Sequence, residues 1–318
     1  MNKKTLAAAL AIGLLGAVGV HAKGTISPTR GTVSQTNIVG NPLTINVADD
    51  NSFQVYTSLA PGEGQIYPND EGQADMGWFV RVGSALTAPA FSDHSGGTAT
   101  ASIGANTPFG ARTISAVTGA GSAASPFSVT VTGTAAGMNA TQVVTYVNGE
   151  NFFRKAFTLT NSGGTAVPAR VFLGSDIYLA SSDSGKPFRE PTSGSPGGQT
   201  CAGIIPVYTI LHISTGVASN GFSADGYNSI WAQIGAGTLN NVVNPGACLD
   251  NGAALQWDVT VPPGGSSTVQ AVTSFGDIPT VIQPAAQAVP APTMSFYGLL
   301  ALGLALLGFA GVALNRRS

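Results

Sequence analysis

Charge is what this chain has least of. Asp, Glu, Lys and Arg make up 9% of its 318 residues, against about 25% in an ordinary globular protein. Between Lys23 and Val289 nine basic residues stand against fifteen acidic ones, a net charge of −6, with no basic run longer than Arg154-Lys155. A phosphate backbone is gripped by clustered cations, so nucleic acid is excluded as a partner. Histidine is scarce too: apart from His21 there are only His94 and His212. Two histidines cannot build a three-His zinc site, and neither His-Glu-x-x-His nor Gly-x-Ser-x-Gly occurs, so zinc hydrolysis and the nucleophile elbow lack their motifs. A helical apolar period sustained over ten residues is also missing from the body of the chain, and no repeat of fixed length argues for a solenoid or propeller.

Long apolar runs are confined to the two ends. Lys3 and Lys4 precede an apolar or small stretch from Leu6 to Val20, followed by Val20-His21-Ala22. A charged start, a short apolar core and small residues at −3 and −1 make a secretory signal over residues 1–22, cleaved after Ala22. As a helix that stretch would span about 22 Å, short of a membrane core of about 30 Å. Residues 296–314, by contrast, form an uncharged run about 28 Å long as a helix, enough to cross a bilayer. Arg316 and Arg317 come directly after it and would stay on the cytoplasmic side, leaving the body outside.

The lead into that run is Val289-Pro290-Ala291-Pro292-Thr293-Met294-Ser295-Phe296-Tyr297-Gly298. With the apolar span and the arginine doublet it resembles the IPTL-CTERM type of bacterial sorting tail, a relative of the PEP-CTERM tails. The family pattern runs Ile-Pro-Thr-Leu-Ser-Glu-Trp-Gly. Pro292, Thr293, Ser295 and Gly298 match it, Met294 stands for Leu and Tyr297 for Trp, while Ala291 and Phe296 depart. The resemblance covers about thirty residues and implies a Gram-negative host, an exosortase-like membrane protease as partner, a transient inner-membrane anchor, and delivery to the cell surface or matrix.

Between the ends the palette is Gly, Thr, Ser, Asn, Ala and Val, as suits secreted β-proteins. Alternation marks strands at 44–47, 53–56, 78–82, 98–103, 127–132 and 170–173, and again at 204–213, 229–234, 254–261 and 267–273. Asn148-Gly149 between β-type flanks reads as a type I′ hairpin whose second arm runs into a meander with 170–173. Pro262-Pro263-Gly264-Gly265 reads as the turn of a last hairpin, and 181–198 as a long polar loop. The expected fold is all-β, an antiparallel β-sandwich body over 23–278, as one large domain or two small ones meeting near 95–140. A Pro/Ala-rich linker at 279–292 and the tail at 293–318 complete it.

In an oxidising compartment the pair Cys201 and Cys248 is expected to be bridged. No catalytic residue or cofactor site is nominated. His212 reads as packed in a strand and His94 as a loop residue. Glu150, Asp176, Glu190 and Asp258 are the carboxylates least committed to turns, and structural roles are favoured for all four. Calcium would suit Asp49-Asp50-Asn51 and the loop 69–75, although Asp and Asn favour turns in any case. Trp78, Trp231 and Trp257 are expected in the core, with stacking on a glycan as the alternative. The function expected is therefore a non-enzymatic surface or matrix protein acting in adhesion or envelope structure, possible partners including surface polysaccharide. The alternative is a secreted carbohydrate-binding or carbohydrate-active protein.

Overall fold

The computed structural model describes residues 33–57, 64–65, 76–90, 101–179, 182, 184–203, 207–246, 248–276 and 278–282. The signal at 1–22, the acidic loop 69–75, His94 and the tail from 293 lie outside them. No helix among the described residues is long and apolar enough to cross a membrane.

In chain order the strands are β1 (Gln35–Val39), β2 (Leu43–Ala48), β3 (Ser52–Thr57), β4 (Gly64–Gln65), β5 (Met76–Val82) and β6 (Ala85–Ala88). Next come β7 (Thr107–Pro108), β8 (Gly110–Ile114), β9 (Phe127–Ala135), β10 (Met138–Tyr146), β11 (Phe152–Thr160) and β12 (Val167–Asp176). The rest are β13 (Ser184–Arg189), β14 (Pro196–Thr200), β15 (Thr209–Thr215), β16 (Gly221–Gly226), β17 (Leu249–Val261) and β18 (Ser266–Phe275), with one α-helix among the described residues, α1 (Tyr227–Ala236).

Apart from the short parallel pair β6–β7, these strands make two antiparallel layers. In the first, β16, β17, β12 and β5 lie side by side; the start of β5 then pairs with β3 and its end with β6, and β2 and β1 lie beyond β3. The second runs β8–β9–β10–β11–β18–β15–β14–β13. The layers join where Asp250 and Leu249 of β17 pair with Ser184 and Gly185 of β13. Strict alternation sends Val129, Val131 and Ala135 of β9 and Phe153, Phe157 and Leu159 of β11 inward. There they meet Trp78, Leu173, Leu255 and Trp257 of the first layer in one core drawn from Ile38 through Ala271. Trp78 stacks on Phe157 at 5.2 Å between ring centroids and leans on Trp257 at 5.8 Å.

Several expected connections are otherwise. The strands β11 and β12 are not neighbours in a meander, and β17 and β18 do not form a hairpin: each pair crosses from one layer to the other. The two crossings are pinned together by Asn161, whose amide Nδ2 donates to Thr165 O at 2.7 Å and to Pro262 O at 3.3 Å. Its backbone N–H donates to Gly265 O at 2.9 Å. Short polar turns look alike in sequence whether they return a strand beside itself or carry it across the core. The type I′ geometry also sits elsewhere: Ala136 and Gly137 take φ of 48° and 81° between β9 and β10, whereas at 148–149 only Gly149 is positive, at 90°. That leaves the second turn with the type II pattern.

Within 181–198, expected as a loop, the chain forms β13 and β14. Their Gly and Pro content hides them, but the glycines are what the packing needs: a Cβ on Gly197 would lie 1.8 Å from Ile210 O on β15. Residues 101–103 are a 3₁₀ turn, not a strand end, and 229–234 belong to α1. Ile230, Trp231 and Ile234 recur at helical spacing and bury one face against Phe79, Phe172 and Ala254 on the outside of the first layer. The αL residue Gly237 caps the helix, donating to Gln233 O at 2.9 Å. Arg81 and Arg170 donate to the carbonyls of Gly235 and Gly237 at 2.7 and 2.6 Å, cations placed where the helix dipole favours them. The Cys201–Cys248 disulfide, with Cα atoms 5.1 Å apart, ties the end of β14 to the start of β17.

Candidate functional site

Among the described residues Lys155, His212 and Ser175 converge inside the core rather than in a cleft. Strand alternation places Lys155 between Phe153 and Phe157, facing inward and 2% exposed. Its Nζ contacts Thr273 Oγ1, lies 3.5 Å from Met76 Sδ and sits 4.4 Å from the Phe153 ring centroid. Thr273 Oγ1 is 3.1 Å from His212 Nδ1, and His212 Nε2 is 2.7 Å from Ser175 Oγ, so a polar chain crosses from β11 to β12. Burial drives the Lys155 amine well below its ordinary pKa. Burial, and then the neighbouring lysine charge, push His212 down as well. A Ser–His contact of this length is what nucleophile activation requires. Yet Ser175 and His212 are both fully buried, and the Ser175 hydroxyl also reaches Ala253 O at 3.2 Å. His212 is the packed histidine its strand pattern implied. Lys155 went unnoticed in the sequence although Phe153-Arg154-Lys155-Ala156-Phe157 carried the signal: two residues either side of it, a phenylalanine points inward.

The tryptophans are all fully buried, so no indole face is offered to a glycan. Period-two alternation explains Trp257 inside and Asp258 outside; Trp257 Nε1 donates to Val217 O at 3.0 Å. Each carboxylate has its own partner. Glu150 grips Arg154 through two contacts of 2.6 and 3.0 Å, and Asp258 lies 3.2 Å from Arg170 Nε. Glu190 accepts from the Thr192 and Ser193 amides at 3.0 and 2.6 Å, while Asp176 is buried. Asp50, expected in a calcium-type loop, accepts from Ser52 N at 3.1 Å, Ser52 Oγ at 2.6 Å and Ala90 N at 3.0 Å, which makes it a bracket for the β2–β3 turn. Burial raises the pKa of Asp49, opposed by Arg112 at 3.7 Å. Among the described residues no three His, Cys, Asp or Glu side chains gather as a metal site would need.

What the outside presents instead is hydroxyl. Thr113, Thr132, Thr141, Thr158 and Thr268 stand opposite one another on five consecutive strands of the second layer, β8, β9, β10, β11 and β18. One step along the strands, Thr134, Asn139, Thr160 and Ser266 form a second row. Three cross-strand pairs are hydrogen-bonded: Thr113–Thr132 at 2.7 Å, Thr158–Thr268 at 2.8 Å and Thr160–Ser266 at 2.8 Å. Toward the other end of these strands the same face sinks into a groove of 340 Å³. Val143, Ala156 and Val272 line it together with Thr215, Gln270 and Arg154, and Val281 and Ile282 stand against it.

No protein-family model matches the chain, and no curated protein does. Among solved structures it is similar to a heparan sulfate lyase, a HepC mutant from Pedobacter heparinus, at 8% identity over 79% of this chain and 36% of that one, with a TM-score of 0.45. A bacterial glucoamylase complexed with acarbose matches at 11% identity over 80% of this chain and 35% of that one, with a TM-score of 0.45. An α-galactosidase from Geobacillus stearothermophilus matches at 9% identity over 77% and 41%, with a TM-score of 0.34. The chain spans well under half the length of each of these proteins. Likeness at this level carries nothing about activity.

Proposed function

We propose that this chain is an exported, non-catalytic cell-surface or extracellular-matrix protein, delivered through its C-terminal tail by an exosortase-like membrane protease and acting in adhesion or envelope structure. The observation that supports this reading best is how chemistry is distributed between inside and outside. Lys155, His212 and Ser175 are consumed by the core, while the broad outer face of the second layer carries neutral hydroxyls in register. The carbohydrate-binding alternative stands beside it on the same face, because a hydroxyl-bearing surface with an adjoining groove suits a polyhydroxylated ligand.

Sorting is tested in the native host by replacing Pro292, Thr293 and Ser295 together with Ala. An epitope goes at Pro191-Thr192, the exposed turn between β13 and β14. Membrane and surface fractions are then blotted. The expected outcome is shortened protein at the surface for the wild type and full-length precursor held in the membrane for the triple variant. Equal retention of both at uncleaved mass would mean that the tail is an anchor only.

A further inference from the structure

We infer that the outer face of the second layer is a track for an extended, uncharged polysaccharide, an inference that rests on the surface-protein reading for the compartment in which such a ligand is met. Three features of the face converge on that ligand.

The first is periodicity. Neighbouring strands are about 4.8 Å apart and alternate residues along a strand about 6.8 Å, so rows of hydroxyls in register form a two-dimensional grid. From the row of Thr160 through those of Thr158 and Ala156 to that of Arg154, four rows make a track about 20 Å long. A track of that length fits a chain of sugars better than a single small molecule. Its groove end supplies an apolar floor with a few polar groups at the rim, the usual build of a ligand site. The Gln270 amide in the groove and the Thr141 hydroxyl in the row beside it make no side-chain hydrogen bond among the described residues, leaving donors and acceptors for a ligand.

The second feature is charge. The ionic groups beside the groove, Arg154 and Glu150, neutralise one another in a two-point contact, and the threonine rows carry none. Lys155, which also borders the groove, turns its amine into the core, so the rows and the groove together carry no free charge and the fitting ligand is neutral.

The third is the lack of anchors for a protein partner. Interface hot spots are dominated by Trp, Tyr and Arg seated in desolvated pockets. The two hydroxyl rows contain no aromatic side chain, and Phe152 at the far end of β11 is 3% exposed beneath Arg154. The ligand is therefore recognised through hydroxyls and methyls, the two groups threonine offers.

Purified full-length protein in mild detergent is sedimented with particles of cellulose, chitin and β-1,3-glucan, and with alginate beads as a charged control. Retention by at least one neutral polysaccharide is expected. The triple variant Thr132→Val, Thr141→Val, Thr158→Val keeps shape and strand preference but loses three hydroxyls, and should bind at least tenfold more weakly with an unchanged circular dichroism spectrum. Ala156→Glu, which fills the groove from its floor, should do the same should the triple variant fail to fold. Absence of retention on all three neutral particles, stronger retention on alginate, or wild-type binding by a folded variant would each overturn the inference. So would a freezing-point hysteresis lost in the triple variant without polysaccharide retention, which would assign the grid to ice. Retention is measured on purified protein, so its failure is separate from a failure of surface delivery in the blots above.

Discussion

The two layers share one core but differ on their outer faces. Outside the first layer, Phe79, Phe172 and Ala254 lie beneath α1, and Trp231 packs on Phe79 at 5.5 Å. The corresponding face of the second layer is threonine over most of its width and, among the described residues, is covered only at one end, where Ile282 packs on Phe152, Leu211, Ile213 and Val272. The same difference is written along the strands. In β5, β12 and β17 the buried residues run on without alternation, as in Trp78-Phe79-Val80 and Val171-Phe172-Leu173, because both faces are dry. In β10, and in β9 from Val129 on, buried positions alternate with more accessible ones, because one face is wet. A lid over a sheet is thus visible in the sheet before it is visible in the lid.

The largest effect expected from this contrast is at the lid. Trp231→Ala should cost about 3–5 kcal/mol, whereas Thr132→Ala on the open face should change stability by no more than about 0.5 kcal/mol. Denaturant unfolding of the two variants side by side measures this. Similar losses at both sites would mean that the threonine face is covered in the free protein. The next effect is in the shared core. Lys155→Met replaces a buried amine by a side chain of similar length among Met76, Phe53 and Phe153, and should raise stability near neutral pH by about 1–3 kcal/mol. Its pH dependence gives a second readout. With the folded pKa of Lys155 lowered, the unfolded chain holds one more proton up to about pH 10.5, so wild-type stability climbs with pH toward that value. The variant should lose that climb while keeping the His212 contribution, a fall in stability as pH drops below about 6.5. An unchanged alkaline slope would show that Lys155 stays charged in the fold. The smallest effect is at the β9–β10 turn. Ala136 holds a φ of 48°, a region Asn tolerates better than Ala. Ala136→Asn should therefore add about 0.5 kcal/mol, visible as a small rise in melting temperature, without altering polysaccharide retention.

Much of the architecture was legible because alternation is local. The strands at 44–47, 53–56, 78–82, 127–132, 254–261 and 267–273 fall within β2, β3, β5, β9, β17 and β18, and the bridged cysteines were expected from an even count in a chain read as exported. The threonine rows were only half legible. Each Thr-x-Thr could be read outward from its strand, but the row exists only through the pairing of five strands. The helix α1 was missed because its ten residues make barely three turns, and an apolar set as short as Ile230, Trp231 and Ile234 satisfies a strand template equally well.

By itself, then, the sequence determined those properties that depend on near neighbours along the chain: β-character, the alternation of the strands with one open face, the scarcity of charge, and the confinement of long apolar runs to the two ends. Tertiary structure alone decided which turns are hairpins and which are crossings. The linkers after β11 and β17 owe their course to Asn161 binding Pro262 O about a hundred residues away. It also decided that Lys155, His212 and Ser175 meet. Those three lie on β11, β15 and β12, and only the stacking of one layer on the other brings them within reach. Contacts of that kind are selected by packing over the whole core, and no window of local sequence contains them.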